Sequence, residues 1–347
     1  MLVLEVELKV DLYLFQRGLF GVSLPRVLAI SGKELEELLK PEILVSEIEK
    51  AFVLYSSGST VTPPRTVMWV EGNWWGIMQS YVPNYGVGVK VVNVIPSNVE
   101  RGLPTIQAIV TLFDPLTGTP LAVIEGGVLT ALRTAAASAV SAKYMAPETR
   151  GPIAIIGTGY QARYQLVFVS HFYKAEEIKI YDIREEAAES YRKYAENLGF
   201  KVTVCRSARE AIEGAGVVIE ASTTRTPVIE GKHLRSPAHV ISIGAHVRDA
   251  RALDDEVIKR AEVVVVDSRE AVMLETGDIR IPIEIGILSK ERVSELGEVA
   301  SGKKPGRITR EGITVFKSVG LAIQDAAAAA VAYRLALEKG FGRFIEL

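Results

Sequence analysis

The sequence contains very little cysteine and histidine. Of its 347 residues, Cys205 is the only cysteine and four are histidines. A single thiol excludes a disulfide framework and a thiolate metal cage, and it is typical of a reducing compartment. Since no two histidines have the i, i+4 spacing of helical metal ligands, we expect no protein-bound metal and predict a cytoplasmic location.

An excess of charge and a long apolar run are also missing. The formal net charge is -2 at pH 7, so the chain has no electrostatic reason to bind nucleic acid. Residues 1–15 alternate apolar and charged side chains, which predicts a half-buried strand and argues against a signal peptide or a membrane span. We therefore expect a globular protein that binds neither nucleic acid nor a membrane.

The most informative stretch is Gly151 to Gln165, which reads GPIAIIGTGYQARYQ. The apolar run Pro152 to Ile156 is typical of a buried parallel strand, and it ends at a G-x-G-x-x-A dinucleotide-binding fingerprint. In this pattern Gly157 permits the tight turn, Gly159 lets the backbone approach a pyrophosphate, and Ala162 lets the next helix pack on the strand. The free N–H groups at the start of that helix attract phosphate.

A second signal, Asp182, accompanies the glycines. It follows the apolar strand Ile178 to Tyr181 and lies 20 residues beyond Ala162, where this fold uses an acid to bind the adenosine ribose. A carboxylate at this position repels a 2′-phosphate and favours NAD, whereas the neighbouring Arg184 keeps NADP possible. The alternative is an ordinary strand-helix turn followed by a surface aspartate.

Strand and helix patterns divide the chain into three parts. Consecutive strands with short turns, between about Val67 and Ile124, predict a sheet separate from the nucleotide-binding one. After the fingerprint, strands and helices alternate as in a doubly wound sheet. We predict an α/β protein with a Rossmann-type dinucleotide-binding domain at 147–318. It is inserted into an α+β substrate and dimerisation domain at 31–146 plus 319–347, after an N-terminal extension at 1–30.

Several helices can be predicted individually in the first domain. Ser46 with Glu49 forms a capping-box pattern, which predicts a helix start at Ser46. Thr130 to Tyr144 and Leu321 to Leu337 are rich in alanine, and we expect both to be closely packed helices. The second of them is predicted to return to the first domain.

Three further stretches carry a likeness to known proteins: GVGVKVVN at 86–93, LTALRTAAAS at 129–138 and VFKSVGLAIQD at 315–325. Together with the fingerprint, they resemble the ornithine cyclodeaminase and mu-crystallin family, which includes archaeal alanine dehydrogenases and ketimine reductases. The likeness runs from about Ser31 to the C-terminus. It implies a homodimer in which the first domain supplies the substrate contacts and the subunit interface.

Three cations are candidates for substrate binding and proton transfer. Lys90 is read as the end of an apolar strand, where desolvation lowers the pKa of an ammonium so that it can polarise an imine and shuttle a proton. The planar fork of Arg133 suits a carboxylate or a phosphate. The resemblance implies that Lys90 is the active-site lysine, that Arg133 with Thr134 meets the substrate carboxylate or the cofactor phosphate, and that Arg65 binds the substrate carboxylate. In each case the alternative is a solvated side chain.

Two loops after predicted strands, Ser222-Thr223-Thr224 and Gly244-Ala245-His246, lie at the edge where such sheets bind ligands. His246 is a candidate proton donor near neutral pH, or a structural loop histidine. Besides Gly157, Gly159 and Asp182, we assign these residues to cofactor binding: Arg133, Thr134, Tyr160, Gln161, Arg184, Ser222, Thr223, Gly244, Ala245 and Ser318.

The sequence departs from the cyclodeaminase pattern at two positions. His246 stands where the family's loop resembles Gly-Asp/Ala-Asp, whose aspartate meets the substrate amine. Gly76 stands where cyclodeaminases place a second carboxylate. The absence of both acids argues against cyclisation of a diamine.

The leading interpretation is an NAD(P)-dependent oxidoreductase acting at a C–N centre. It moves a hydride between the nicotinamide and the alpha carbon of a small L-amino acid or its imine, as in alanine dehydrogenase or ketimine reductase. The substrate is then an amino acid, a keto acid or a cyclic imine. One alternative is ornithine cyclodeaminase, which converts L-ornithine to L-proline and ammonia. Another is a mu-crystallin-like binding protein without turnover.

Overall fold

The computed structural model describes residues 16–17, 23–24 and 26–346, so the strand predicted within residues 1–15 lies outside the described residues. The strands are β1 (Gln16–Arg17), β2 (Ser23–Leu24), β3 (Arg26–Ile30), β4 (Thr66–Val70), β5 (Asn73–Val82), β6 (Gly86–Val94), β7 (Ile106–Phe113), β8 (Pro120–Glu125), β9 (Ile153–Ile156), β10 (Ile178–Tyr181), β11 (Val202–Val204), β12 (Val217–Glu220), β13 (Ala238–Ser242), β14 (Ala261–Val266), β15 (Val293–Glu295), β16 (Ile313–Lys317) and β17 (Arg343–Glu346).

The α-helices are α1 (Gly32–Leu38), α2 (Pro41–Ser56), α3 (Gly126–Met145), α4 (Tyr160–Phe172), α5 (Glu185–Asn197), α6 (Ala208–Ile212), α7 (Asp255–Arg260), α8 (Arg269–Glu275), α9 (Gly277–Glu284), α10 (Leu296–Ala300) and α11 (Ala322–Lys339). Within the described part of the chain, none of them combines the length and the apolarity that a bilayer crossing requires.

The larger sheet has eight parallel strands in the order β11-β10-β9-β12-β13-β16-β14-β15. All four residues of β9 are buried, as a strand covered on both faces requires. The chain enters at β9, runs outwards to β11 and then returns to β12 on the other side. This reversal creates the crevice at which doubly wound sheets bind ligands, so the predicted Rossmann-type fold is confirmed.

The second sheet has seven strands in the order β17-β3-β8-β7-β6-β5-β4. Its neighbours are antiparallel except for the parallel pair β3 and β8. Residues 26–30, assigned to the N-terminal extension from sequence, are β3 of this sheet. The exact domain boundaries stay a prediction.

The alanine-rich helices α3 and α11 cover one face of this second sheet and contact each other. Their small side chains permit close packing, which is most pronounced between β6 and α11. A Cβ atom on Gly88 would lie 2.7 Å from Cα of Ala326, so only glycine fits there. This contact places the strand and the helix that carry Lys90 and Asp325 next to each other.

The predicted helix start at Ser46 is wrong. Helix α2 begins at Pro41, and the Ser46 hydroxyl instead donates to the carbonyl of Ile43 at 2.9 Å. A capping box does occur at α1, where Ser31 and Glu34 satisfy each other's backbone N–H groups. Proline at the first position suits a helix start because it needs no N–H partner, and this signal was stronger than the serine pattern.

Candidate functional site

The fingerprint forms the turn from β9 into α4. Gly157 has φ of +85°, and a Cβ there would lie 2.7 Å from Cα of Ser222. Gly159 occupies the N-cap position of α4, and the space that its Cβ would fill is open. Within the described chain no side chain caps α4, so its first N–H groups remain available. The turn therefore fits a pyrophosphate held by the helix N-terminus.

Asp182 lies directly after β10 and points at the fingerprint. Its Oδ2 accepts from the backbone N–H of Thr158 at 2.8 Å and from the Thr158 hydroxyl at 3.0 Å. Its Oδ1 accepts from the backbone N–H of Arg184 at 3.0 Å, and the Arg184 side chain is exposed. Asp182 thus holds the loop at the edge of the crevice, and its predicted role in ribose binding stays a prediction.

The first turn of α4 carries the next two predicted residues. The Tyr160 ring is exposed, and its hydroxyl lies 2.9 Å from that of Tyr164. The Gln161 Oε1 is buried and has no hydrogen-bond partner among the described residues. A buried polar atom without a partner is costly, and its position beside the fingerprint makes it available to a bound nucleotide.

The loops after β12 and β13 are held together by Glu220, which sequence reasoning did not identify. Its carboxylate accepts from the N–H of Ser222 at 2.8 Å, the hydroxyl of Ser242 at 2.8 Å and the N–H of Gly244 at 3.2 Å. Burial raises the pKa of Glu220, although the Lys317 charge opposes the shift. Thr223 is exposed in the first of these loops.

Beneath the same loops lies Lys317, the last residue of β16. Its Nζ is 2.9 Å from Asp278 Oδ2, donates to the Ser242 hydroxyl at 3.1 Å and also donates to the Gly244 carbonyl. Both Lys317 and Asp278 are completely buried. Gly244 and the strained Ala245, with φ of +46°, are therefore positioned by a network that no solvent reaches.

Ser318, the next residue, faces Asp267. Its hydroxyl donates to Asp267 Oδ2 at 2.8 Å, and the same oxygen accepts from the N–H groups of Val319 and Gly320 at 2.8 and 2.7 Å. Burial raises the pKa of Asp267, and these hydrogen bonds oppose that shift. Asp267 thereby fixes the turn that leads into α11, and Ser318 as a cofactor ligand stays a prediction.

The cations Lys90 and Arg133 meet at Asp325, the fourth residue of α11. Lys90 Nζ lies 2.9 Å from Oδ1 and 2.8 Å from Oδ2 of Asp325. Arg133 Nε lies 3.0 Å from the same Oδ1, and its Nη1 donates to Gln324 Oε1 at 2.6 Å. Side-chain exposure is only 1% for Lys90, 6% for Arg133 and 2% for Asp325. Two buried cations therefore share one carboxylate.

This arrangement controls the proton affinity of Lys90. Burial and the Arg133 charge together lower the pKa of Lys90 to about 7, although Asp325 acts in the opposite direction. At Asp325, burial acts to raise the pKa, but the charges and hydrogen bonds of Arg133 and Lys90 outweigh it and the pKa is lowered. Near neutral pH, Lys90 is therefore able to give up and regain a proton.

The position predicted for Lys90 at a strand end is wrong. It is the fifth residue of the nine-residue strand β6 and is fully buried. Arg133 is not a surface arginine either, because α3 buries it against α11. Gly320, with φ of +85°, makes room for it, since a Cβ there would lie 2.8 Å from Arg133 Nη1. Thr134 donates to the carbonyl of Thr130 within α3 at 2.7 Å, and its predicted role beside Arg133 stays a prediction.

Arg65 lies at the mouth of this region, in the loop before β4. Its Nη2 donates to the carbonyls of Val319 and Gly320 at 2.9 and 2.7 Å, and its Nε lies 2.8 Å from Glu275 Oε1. Burial raises the pKa of Glu275 to about 7, against the opposing charge of Arg65. Arg65 is thus held between the two sheets and is not a solvated turn residue.

His246 is exposed in the loop that follows β13. Among the described residues it has no hydrogen-bond partner. The surrounding protein lowers its pKa, and the positive charges of Lys317 and Arg65 add to this effect. A histidine with a lowered pKa is neutral near pH 7 and is a poor proton donor, so Lys90 is the stronger candidate.

Sequence reasoning missed three carboxylates that organise the site: Asp325, Glu275 and Glu220. A signal existed for Asp325, because an acid followed by five alanines in a closely packed helix is buried and needs a cationic partner. Glu275 ends a helix that was not predicted. Glu220 ends a strand that was predicted, and its partners come from two separate loops.

The departure at Gly76 has a structural counterpart. A Cβ atom at this position would overlap the indole ring of Trp74. Trp74 packs with Met78, Val92 and Ala322 in a small apolar cluster. A carboxylate at position 76 would thus require Trp74 to move.

Comparison with known proteins agrees with this geometry. The sequence profile of the ornithine cyclodeaminase/mu-crystallin family matches residues 28–340. The chain is 36% identical to an alanine dehydrogenase of Archaeoglobus fulgidus, over 92% of this chain and 98% of that protein.

Two solved structures are similar over nearly the whole chain. The Delta(1)-pyrroline-2-carboxylate reductase of Thermococcus litoralis, in complex with NADH and L-proline, has 40% identity and a TM-score of 0.88, covering 92% of this chain and 100% of that one. An archaeal alanine dehydrogenase dimer with bound NAD has 35% identity and a TM-score of 0.87, covering 93% and 99%. The chain therefore belongs to the ornithine cyclodeaminase/mu-crystallin family.

Proposed function

We propose that this protein is an NAD-dependent oxidoreductase that reduces the C=N bond of a small α-imino carboxylate to the L-amino acid. The observation that carries the proposal is the arrangement of Lys90 and Arg133 on the single carboxylate of Asp325. Two positive charges and one negative charge leave an excess positive charge in a buried place. A carboxylate substrate would compensate that charge.

Each side chain has a distinct role in this reaction. Arg65 and Arg133 bind the substrate carboxylate and thereby orient the α carbon towards the nicotinamide. Lys90 supplies the proton that the nitrogen needs, because its pKa of about 7 makes the proton transferable near neutral pH. Asp325 positions Lys90 and Arg133 relative to each other. Bound NADH supplies the hydride.

The residues that would hold the cofactor lie along the carboxyl edge of the eight-stranded sheet. The amides after Gly157 and Gly159 would receive the pyrophosphate, and Asp182 would accept from the ribose hydroxyls. The loops at Ser222 and Gly244 border the nicotinamide side. Asp182 favours NAD over NADP, because a 2′-phosphate would be repelled by its carboxylate.

The first substrate to test is a cyclic imine such as Delta(1)-pyrroline-2-carboxylate. Support comes from the likeness to the Thermococcus litoralis enzyme, whose structure holds NADH and L-proline. Pyruvate with ammonia is the second candidate, supported by the likeness to alanine dehydrogenases. Cyclisation of ornithine is disfavoured, because His246 and Gly76 replace the two acids that would hold a diamine and Trp74 fills the space at Gly76.

A substrate panel followed at the NADH absorbance band tests the function. We expect stoichiometric NADH oxidation with a cyclic imino acid or with pyruvate and ammonia. Ornithine cyclodeamination would produce proline without net change in NADH. Tight NADH binding with no product from any compound would identify a binding protein instead.

We also propose a homodimer formed through the seven-stranded sheet. Strand β4 exposes four consecutive apolar side chains, and the Trp69 ring is 70% exposed. Ile106 and Ile109 of β7 are exposed as well. A large exposed apolar patch marks an interaction surface, and light scattering of the purified protein at several concentrations will measure the mass.

A further inference from the structure

The ion pair between Arg65 and Glu275 spans the cleft between the two sheets. Arg65 belongs to the loop before β4, whereas Glu275 is the last residue of α8, which follows β14 of the other sheet. Their side chains are 13% and 18% exposed. Both line a narrow cleft together with Tyr55, Met78 and Leu321. The pair is thus partly exposed to solvent at this cleft.

Glu275 is held by fewer contacts than Arg65, so another carboxylate can replace it. Arg65 is its only ion-pair partner among the residues in the described ranges. By contrast, the Arg65 Nη2 is fixed by the carbonyls of Val319 and Gly320. The guanidinium therefore stays in place when Glu275 leaves, and its Nε–H becomes available to another carboxylate.

We propose that Glu275 is a built-in competitor for the substrate carboxylate: it pairs with Arg65 in the free enzyme and is displaced when a carboxylate ligand binds. The proposal rests on the proposed function, because it takes Arg65 as the residue that receives the ligand. Glu275 is a positioning residue, since it acts through Arg65. It sets the affinity for carboxylates and makes that affinity depend on pH.

The direction of the pH dependence follows from the groups around Glu275. These are Arg65 from the opposite lobe, Asp267 at the end of β14, Glu270 on α8 and the Tyr55 hydroxyl on α2. With a pKa of about 7, Glu275 is neutral below that pH and competes weakly. Above it, the ionised carboxylate competes fully. At about one pH unit above the pKa only about a tenth of the protein has the neutral form, so affinity falls by up to about tenfold.

The test measures binding of pyrrole-2-carboxylate to the NADH-loaded protein by titration calorimetry. This planar acid has no amine and stays ionised over the range used, so its own charge is constant. We compare wild type with Glu275→Gln at about pH 6 and about pH 8. The control is Glu291→Gln, which removes the same charge from an exposed side chain that does not line the cleft.

We expect Glu275→Gln to bind up to about tenfold more tightly than wild type at the higher pH and within about twofold at the lower pH. Glu291→Gln should equal wild type at both. Ionisation of Lys90 also changes in this range, but it is common to all three proteins and cancels in the ratio. In an Arg65→Met background, Glu275→Gln should have no effect.

Three results would overturn the proposal. They are weaker binding by Glu275→Gln than by wild type, the same ratio of variant to wild-type affinity at both pH values, and no binding to any variant. A structural role for Glu275 would lower the melting temperature and weaken binding together. The proposed function fails on a different readout, the absence of NADH oxidation across the imine panel. The two ideas can therefore fail separately.

Discussion

Lys90 and Lys317 are both fully buried strand lysines paired with a carboxylate, one in each sheet, yet their surroundings differ. Lys90 shares Asp325 with Arg133, so positive charge is in excess. Lys317 contacts Asp278, Ser242 and the Gly244 carbonyl, and Glu220 lies nearby, so its charge is fully compensated. The first cluster needs an anionic ligand and the second does not. A buried lysine is thus a functional candidate when its cluster is incomplete, not merely because it is buried.

The largest expected effect is a loss of turnover when the cluster of Lys90, Arg133 and Asp325 is changed. Lys90→Met should lower kcat by about 10²–10⁴-fold, the range that a lost proton donor costs, while NADH affinity measured by fluorescence stays near that of wild type. Lys317→Met, measured at a temperature where it is folded, should retain far more activity. Equal kcat in Lys90→Met and wild type would remove Lys90 from the mechanism.

The reverse ranking is expected for stability. Lys317→Met leaves the buried Asp278 with the N–H groups of Ala252 and Leu253 and a long 3.5 Å contact from the Thr276 hydroxyl, but with no cation. This loss should lower the free energy of unfolding by about 3–5 kcal/mol. Lys90→Met should cost less, because Arg133 still pairs with Asp325. Urea unfolding followed by circular dichroism measures both. A greater loss for Lys90→Met would contradict the distinction between the clusters.

The pH dependence of turnover sharpens the comparison further. Lys90 is protonated below its pKa of about 7, so imine reduction should lose activity above that pH, by about tenfold per unit in the limit. Oxidation of the amino acid needs neutral Lys90 and should rise through the same pH. The control is His246→Asn, which should leave both profiles in place. A shift of either midpoint in that variant would assign the proton to His246.

The smallest effects are expected from the hydroxyls beside each lysine. Thr130 accepts from Lys90 at a long 3.4 Å, so Thr130→Val should change kcat by no more than about twofold. Ser242 donates to Glu220 and accepts from Lys317, so Ser242→Ala should cost about 1–3 kcal/mol of stability. Steady-state kinetics and urea unfolding on both variants check this. A large kcat loss in Thr130→Val would show a tighter contact than this geometry provides.

The sequence predicted features that depend on local pattern. The G-x-G-x-x-A turn, the strand before it and the alanine-rich helices are each encoded within one stretch, and the eight-stranded sheet follows from alternation of strands and helices. The family likeness predicted Lys90, Arg133 and Arg65 as site residues, and their roles stay predictions. Local pattern did not determine that Lys90 lies within β6, because a buried lysine requires a distant carboxylate that no neighbouring residue reveals.

The missed features depend on contacts between distant parts of the chain. Asp325 meets residues more than 190 positions earlier, and Glu275 meets Arg65 across the two lobes. Such pairings follow from topology, so one sequence read in order cannot assign them. The misplaced start of α2 has a local cause, because Ser46 and Pro41 both signal a helix start and the proline was the stronger signal.

Because Asp325 lies on α11, the charge balance of the cleft has a consequence for biosynthesis. The ribosome releases Lys90 and Arg133 long before the helix that carries their shared carboxylate, and the whole eight-stranded sheet can form in between. Until α11 docks, both cations must remain hydrated. The seven-stranded sheet also lacks one of the two helices that pack on its face. Assembly of the candidate site is therefore tied to the docking of α11, so a chain in which Lys90, Arg133 and Asp325 have met has also covered its seven-stranded sheet.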